Sequence, residues 1–407
     1  MTVLLFATLD TKGDEAAWLR ELLRASGVAV TLVDTGCLGE PSVPAEIPRE
    51  ELFRAAGTTL EALRARNDRG AAVTAAARGA EALARRFHAR GELEGVLGIG
   101  GGAGTTIGTA AMRVLPIGVP KLMVSTLASG EVAHFVGSSD VLMLNSVVDI
   151  AGLNRISRAV LARAAQAMSG MARGRLPANA PGEKPLVAAS MFGVTTPCVE
   201  RARAVLEEQG CEVLVFHATG SGGRTLERLA DGGMLAGVLD ITTTELADEL
   251  VGGVLSAGPD RLTAAGRAGI PQVVSVGALD MVNFHGIDSV PERFRGRKLY
   301  RHNENVTLMR TTPGECRLLG RAIGSKLCAW NGPARILFPL RGLSAIDRAG
   351  QPFDDPAARA ELLAGLRESH GAVPLVELDL HINDLAFAEA CARELLALMQ
   401  VAASTRN

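Results

Sequence analysis

The chain has 407 residues, of which 47% are hydrophobic, 3% aromatic and 21% charged, and its formal net charge is −2. This length suffices for two or three domains with their own cores, and the balanced charge excludes the basic footprint of a protein bound to nucleic acid or to an anionic membrane. The six cysteines are scattered, the N-terminus lacks a basic leader region, and no apolar run reaches about 20 residues. We therefore predict a soluble cytoplasmic protein with free thiols.

The first half of the chain alternates short apolar runs with segments of helical periodicity. Strands are predicted at residues 3–7, 28–33, 95–99, 121–124, 132–136 and 141–144, and helices at 14–26, 50–66, 70–90, from the glycine-rich loop to 114, and at 154–173. Residues 174–185 are rich in proline, glycine and alanine and predict a linker.

After this segment the same pattern starts again. Strands are predicted at residues 186–191, 212–216, 236–240, 272–276, 334–338 and 373–378, and helices at 195–209, 224–230, 259–268, 313–328, 356–369 and 384–401. Alternating strands and helices favour parallel sheets with helices on both faces. We predict an α/β fold of two Rossmann-like, doubly wound domains with mainly parallel sheets, at residues 1–180 and 184–407.

A glycine-rich loop, residues 98–104, lies between a predicted strand and a predicted helix. Glycine lets the backbone approach a ligand closely, and the amides of the following helix N-terminus favour phosphate. The loop lacks the Gly-Lys-Ser/Thr ending of a P-loop and the acidic residue of a dinucleotide site about 20 positions later. A tight turn that needs glycine only for packing is the alternative. The predicted phosphate-binding residues are Gly100, Gly101, Gly102, Gly104, Thr105 and Thr106.

Two further loops follow predicted strands and would lie near the glycines. In the first, Lys12 suits a phosphate, while Asp10 suits a ribose hydroxyl or a metal-bound water; a helix cap formed by Thr11 or Asp14 is the alternative. In the second, residues 125–131, small hydroxyl side chains suit an oxygen-rich ligand, and an ordinary turn is the alternative. The candidate binding residues of the two loops are Asp10, Thr11, Lys12, Ser125, Ser129 and Gly130.

Polar clusters also follow the predicted strands of the second half. They predict a second site, with acid–base catalysis on a small oxygenated acid or a sugar-like substrate by His217, His302, His381 and Glu245. A buried histidine whose hydrogen bonds are satisfied within the core is the alternative. Histidine and carboxylate side chains in this half also suit a metal ion, but the second half contains no His-x-x-x-His or Glu-x-x-His pair that would identify its ligands.

Taken together, these stretches resemble the Tm-one-like ATP-binding protein family, whose namesake is a plant virus-resistance protein. The motifs are residues 8–15 (TLDTKGDE), 98–106 (GIGGGAGTT), 125–130, 145–154, 191–197, 217–224, 302–305, 339–344 and 381–384. The resemblance implies two Rossmann-like subdomains, a homodimer, and ATP with Mg²⁺ bound by the N-terminal domain. The plant relative resembles a fusion to a TIM-barrel domain of the phosphoenolpyruvate-mutase type, which suggests a separate protein of that kind as a partner. The resemblance names no substrate, so a nucleotide-binding protein and a metabolic enzyme both stay open.

Overall fold

The computed structural model describes residues 1–65, 68–174 and 183–406. The chain divides into two compact units, which we call unit 1 (Met1–Ala180) and unit 2 (Pro181–Asn407). Most of the predicted linker at 174–185 lies outside the described residues, as does the last residue of the predicted helix 50–66.

Unit 1 is built on a five-stranded parallel sheet in the order β2-β1-β3-β4-β5. The strands are β1 (Thr2–Ala7), β2 (Val30–Asp34), β3 (Leu93–Gly100), β4 (Lys121–Ser125) and β5 (Leu142–Asn145). The helices are α1 (Leu9–Ala25), α2 (Arg49–Ala55), α3 (Leu60–Ala65), α4 (Arg69–Ala89), α5 (Gly102–Arg113), α6 (Ala133–Val136) and α7 (Arg155–Arg173). The winding direction reverses between β1 and β3, which makes their boundary the switch point of this sheet.

Helices cover both faces of the unit 1 sheet because side chains alternate along each strand. Leu4 and Phe6 of β1 pack with apolar residues of α2, α4 and α5. Val3 and Leu5 face the opposite side and pack with residues of α1 and α7. The buried strands are therefore apolar on both faces, as in a Rossmann-like domain.

Glycines allow α5 to lie close against β3. A Cβ atom added at Gly98 would lie 2.5 Å from the sulfur of Met123, and one added at Gly100 would lie 2.7 Å from the Cα of Gly104. Neither position has room for a larger residue without rearrangement. Part of the glycine pattern therefore serves packing.

Unit 2 contains a six-stranded parallel sheet and a separate three-stranded antiparallel sheet. Its strands are β6 (Leu186–Met191), β7 (Glu212–His217), β8 (Gly237–Thr242), β9 (Gln272–Gly277), β10 (Met281–Phe284), β11 (Leu299–Arg301), β12 (Thr307–Arg310), β13 (Ala334–Pro339) and β14 (Leu375–Leu378). The parallel sheet has the order β14-β13-β9-β8-β6-β7 and the antiparallel sheet the order β10-β12-β11. The parallel sheet thus starts with the same winding as unit 1, with its switch point between β6 and β8.

The helices of unit 2 cover both faces of its parallel sheet. They are α8 (Thr196–Glu208), α9 (Ser221–Asp231), α10 (Thr244–Val251), α11 (Ala264–Arg267), α12 (Pro313–Cys328), α13 (Pro356–Ser369) and α14 (Leu385–Arg406). Residues of α8 and α14 form one core layer, and residues of α10, α12 and α13 form the other. Two Rossmann-like domains with mainly parallel sheets are therefore confirmed.

Several predicted elements are wrong in detail. The predicted strand 132–136 is instead the short helix α6 preceded by its N-cap Val132, because Val132, Phe135 and Val136 have the i, i+3, i+4 spacing of a helix face. The predicted helix 259–268 is reduced to α11, and α1 begins five residues earlier than the predicted start at residue 14. The antiparallel sheet and α10 were not predicted.

Two properties of the whole chain are visible in the structure. All six cysteines are free thiols. Within the described ranges, no helix is both long and apolar enough to cross a membrane.

Candidate functional site

A cavity of about 230 Å³ opens in unit 1 beyond the carboxyl ends of β1 and β3. This is the switch point of the sheet, the place where open α/β sheets bind ligands. Its wall is formed by the start of α1, the segment after β2, and the first turns of α4 and α5. The lining residues are Thr8, Asp10, Thr11, Lys12, Thr35, Cys37, Leu38, Arg69, Val73, Gly101, Gly102, Ala103, Gly104 and Ile107.

The cavity brings together two of the three predicted binding loops. Asp10, Thr11 and Lys12 lie on the wall formed by α1, and Gly101, Gly102 and Gly104 lie on the wall formed by α5. These loops are about 90 residues apart in sequence, but they follow neighbouring strands of the sheet.

The other predicted binding residues are placed differently. Thr105 and Ser125 are fully buried, and their hydroxyl oxygens lie 2.6 Å apart in a hydrogen bond. The Thr106 hydroxyl donates to a carbonyl of its own helix at 3.0 Å. Ser129 and Gly130 are exposed in the turn after β4, and Gly100 packs against α5 as the last residue of β3. None of these residues lines the cavity.

Gly101 and Gly102 differ from the packing glycines. A Cβ atom at Gly101 would have only the Thr126 hydroxyl nearby, at 3.5 Å, and one at Gly102 would have only a Leu127 methyl group at 3.9 Å. Gly101 has an extended backbone with a φ of −86°, outside the left-handed region that favours glycine. Neither packing nor backbone geometry therefore requires glycine here. The missing side chains leave the first amides of α5, which have no acceptor within the helix, open towards the cavity.

The polar side chains at the start of α1 already hold parts of the scaffold. Lys12 has non-helical dihedral angles that kink α1, and its ammonium group donates to the carbonyl of Ile150 at 2.7 Å. One Asp10 carboxylate oxygen accepts from the amides of Leu38 and Gly39 at 3.0 and 3.2 Å. Asp10 therefore fixes the segment after β2 as one wall of the cavity.

A buried ion pair holds the base of that wall. The Asp34 carboxylate, at the end of β2, accepts from Arg49 Nε at 2.6 Å and from the amides of Leu9 and Gly36 at 3.2 and 2.8 Å. Both charged side chains are at most 3% exposed. Although dinucleotide-binding folds use an acidic residue at the end of β2 for ribose, the scaffold occupies this one.

The remaining residues of the cavity wall are not among those predicted from the sequence. Leu38, Val73 and Ile107 give it an apolar part, and Cys37 lies beside them. Burial, assisted by the nearby Asp10 carboxylate, raises the pKa of Cys37 to about 11. Arg69, the first residue of α4, adds a positive charge. The only sequence signal for it was a basic residue at the start of a helix, where acidic residues are usual.

In unit 2, the predicted acid Glu245 belongs to a buried ion network. Arg261 is enclosed and donates to both Asp240 oxygens at 2.5 and 2.6 Å, to Glu245 at 2.7 Å and to Glu227 at 3.1 Å. The second Glu245 oxygen accepts from two amides at the start of α9, at 2.7 and 3.0 Å. Both of its oxygens thus hold the scaffold, and Glu245 positions α9 and Arg261.

The structure does not bring the predicted catalytic histidines together. His381 is buried, accepts at Nδ1 from the Asn383 amide and donates from Nε2 to the Ser344 carbonyl, and burial lowers its pKa. His217 ends β7 and His381 follows β14, and these strands are opposite edges of the sheet, about 24 Å apart at normal strand spacing. His302 is exposed in the turn between β11 and β12. The hydrogen bonds of His381 match the core-histidine alternative.

The switch point of unit 2 is filled by protein side chains. Thr195, after β6, and Thr242, at the end of β8, are fully buried, and their hydroxyl oxygens lie 2.8 Å apart in a hydrogen bond. A Cβ atom at Gly277 would lie 3.2 Å from Thr195. The switch point of unit 1 therefore opens into a cavity, whereas the switch point of unit 2 is filled by side chains.

Two buried carboxyl groups of unit 2 titrate near neutral pH. Burial raises the pKa of Asp248 to about 7, although its oxygens accept from the Asn283 amide and side chain at 2.8 and 2.6 Å. Burial and the neighbouring Asp347 carboxylate raise the pKa of Asp280 to about 7. Both groups are therefore protonated in the folded chain at mildly acidic pH.

We expect Asp248 to make the free energy of unfolding fall as pH rises. Its pKa is about 7 when folded and about 3.9 when unfolded. The stabilisation that protonated Asp248 gives the folded state is therefore complete below about pH 4 and disappears as the pH rises to about 7. This lowers the free energy of unfolding by up to about 4 kcal/mol. Asp248→Asn should flatten this dependence in urea denaturation at pH 5 and 8.

The Asn283 side chain now donates from Nδ2 to Asp248, and its Oδ1 has no hydrogen-bond partner among the described residues. The substitution can be accommodated because the Asn283 amide can turn over, so that Oδ1 accepts from the new amide. The exposed Asp288→Asn is the control and should keep the wild-type profile. If Asp248→Asn has the same pH dependence of the free energy of unfolding as the wild type, the raised pKa of Asp248 is contradicted.

Comparison with known proteins covers both units. The model of the N-terminal domain of the uncharacterised protein family UPF0261 matches residues 1–177, and the model of its C-terminal domain matches residues 184–399. A UPF0261 protein of Clostridium tetani is 45% identical over 400 residues, which cover 98% of this chain and 99% of the relative. One of Rhizobium meliloti is 51% identical over 390 residues, covering 94% and 95%.

A plant protein is also similar along most of the chain. The ToMV resistance protein Tm-1(GCR237) of Solanum lycopersicum is 40% identical over 410 residues, covering 95% of this chain but 54% of the tomato protein. Among solved structures, the glycosyltransferase SsfS6 of Streptomyces sp. SF2575, complexed with thymidine diphosphate, covers 98% of this chain and 96% of its own. It is 14% identical with a TM-score of 0.17, which is too low to inform fold or ligand. The two domain models and the bacterial relatives show that the chain belongs to the UPF0261 family.

Proposed function

We propose that unit 1 binds ATP together with Mg²⁺ in the cavity at the β1/β3 switch point. One observation carries the proposal: the N-terminus of α5 opens into this cavity at Gly101 and Gly102, where nothing in the protein itself requires glycine. Open amides at the positive end of a helix favour phosphate oxygens.

The rest of the cavity also suits a nucleotide. The apolar side chains of Leu38, Val73 and Ile107 suit an uncharged base, and the polar groups of the lining suit phosphate and ribose oxygens. The resemblance to the Tm-one-like ATP-binding proteins supports ATP over other phosphate compounds.

The residues present fit a magnesium ion that arrives with the nucleotide. Mg²⁺ commonly uses one or two carboxylates, with phosphate and water oxygens completing its shell. Asp10 lines the cavity, and Thr8 and Thr11 offer hydroxyl oxygens 2.9 Å apart. Within the described ranges, no group of three His, Cys, Asp or Glu side chains is arranged to hold a metal. Asp10, Thr8 and Thr11 would therefore hold the ion only in company with phosphate.

We expect isothermal titration of the full chain with ATP and Mg²⁺ to give saturable heat. Adenosine should bind at least about 100-fold more weakly, because it lacks the phosphates that the α5 amides would hold. Thermal unfolding is a second readout, since a ligand that binds only the folded state raises the melting temperature with concentration. A folded protein that shows neither heat nor a thermal shift would contradict ATP binding.

The other expectations from the sequence stay predictions. They are a homodimer, a separate partner protein of the phosphoenolpyruvate-mutase TIM-barrel type, and a small-molecule substrate in unit 2. For the last, His217 and His302 are the candidates whose side chains are exposed. A His302→Ala variant in a metabolite screen would test the enzyme hypothesis.

A further inference from the structure

The positive charges on the cavity wall are not equivalent. Lys12 has its ammonium group on the carbonyl of Ile150 at 2.7 Å. Arg69 lies on the wall formed by α4, and its exposed side chain makes no hydrogen bond or ion pair with any residue in the described ranges. Its guanidinium group is therefore available to an anion in the cavity without any existing contact being broken.

Arg69 occupies an unfavourable position for a cation. It is the first residue of α4, and the first turn of this helix contains no acidic residue. The positive end of a helix disfavours a positive side chain by about 0.3–1 kcal/mol. Asp68, the preceding residue, uses its carboxylate to cap the amide of Ala71 at 2.9 Å. Helix stability therefore gives no reason for arginine at position 69.

The geometry of the cavity supplies such a reason. The first turns of α4 and α5 both contribute to its wall, so two positive helix ends and Arg69 meet at one space. Val73, one turn after Arg69, lines the same cavity, which places this face of α4 towards it. The positive charge of Arg69 also acts on the Cys37 thiol in the wall, where it opposes the larger effect of burial on the pKa.

We infer that Arg69 binds the phosphate chain of the ligand, opposite the amide groups at the N-terminus of α5, and so makes the site prefer ATP and ADP over the unphosphorylated nucleoside. The inference rests on the nucleotide binding proposed above. A guanidinium group can donate two parallel hydrogen bonds to phosphate oxygens, whereas an ammonium group acts as a point charge. Lys12 then has a positioning role, because its ammonium group joins α1 to Ile150.

The test is isothermal titration of Arg69→Gln with ATP, ADP and adenosine. Loss of a charge-assisted phosphate contact should weaken ATP and ADP binding about 10- to 100-fold and change adenosine binding less than about twofold. The affinity of Arg69→Lys for ATP and ADP should lie between the affinities of Arg69→Gln and the wild type. The melting temperature without ligand should stay the same or rise, because a charge that opposes the helix dipole has been removed.

Arg78→Gln is the matched control, since Arg78 is an exposed arginine further along α4 that does not line the cavity. It should bind ATP as the wild type does. If Arg69→Gln and the wild type bind ATP equally well, the inference about Arg69 is overturned while nucleotide binding stands. If the folded wild type binds no nucleotide, both proposals fall.

Discussion

Gly101→Asp is expected to abolish ATP binding while leaving the fold intact. The new Cβ fits, because its nearest neighbour would be the Thr126 hydroxyl at 3.5 Å. Position 101 is the N-cap of α5, where aspartate is favourable and its carboxylate accepts from the helix amides. The aspartate carboxylate would therefore take the hydrogen bonds of the amides that are proposed to bind phosphate, and its negative charge would repel the ligand. Isothermal titration should show a loss of at least about 100-fold, with an unchanged or higher melting temperature.

Two controls separate the causes of this loss. Gly101→Asn supplies a cap without charge and should weaken ATP binding less than Gly101→Asp. Gly170→Asp adds the same charge at an open, exposed position of α7 and should leave binding unchanged. Wild-type affinity in a folded Gly101→Asp protein would remove the N-terminus of α5 from the site.

Arg261→Met is expected to cause the largest loss of stability, about 3–5 kcal/mol. The substitution leaves Asp240 and Glu245, which are at most 1% exposed, as buried carboxylates without their cation. Ionised groups in that environment favour unfolding, so the loss should become smaller at acidic pH, where protonation removes the charges. Urea denaturation at pH 5 and 8 measures both effects.

An exposed ion pair provides the comparison. Arg203 pairs with Glu207 one turn away, and both side chains are more than 40% exposed. Arg203→Met should change the free energy of unfolding by less than about 1 kcal/mol. Similar effects of the two substitutions would show that enclosure of Arg261 contributes little to stability.

The parallel sheets could be predicted because their strands are apolar on both faces and alternate with amphipathic helices. Residues 3–7 and 186–191 illustrate this, since each is a buried run followed by a helix. The antiparallel sheet was missed because its strands, such as Met281–Phe284 and Thr307–Arg310 with four residues each, follow one another without an α-helix between them. Such short runs show little periodicity, and only their mutual pairing, distant in sequence, makes them strands.

The candidate site could be predicted in part for a related reason. The glycines and the loop after β1 are local patterns at strand ends, and the topology brings them together. Arg69 carries no motif, and only the approach of α4 to α5 places it at the cavity. Glu245 and His381 have residue types suited to catalysis, but their neighbours, which sequence does not reveal, use their hydrogen-bonding groups.

The contrast between the two switch points has a consequence for how the chain tolerates sequence change. In unit 1, Gly101 and Gly102 have room for new side chains, so we expect the proposed ligand, and not packing, to constrain their identity. In unit 2, Thr195 and Thr242 are enclosed and hydrogen-bonded to each other, so larger residues would overpack. In a mutational library selected only for folded protein, Gly101 and Gly102 should therefore vary, whereas Thr195 and Thr242 should not. Only selection for ligand binding should remove the variation at Gly101 and Gly102.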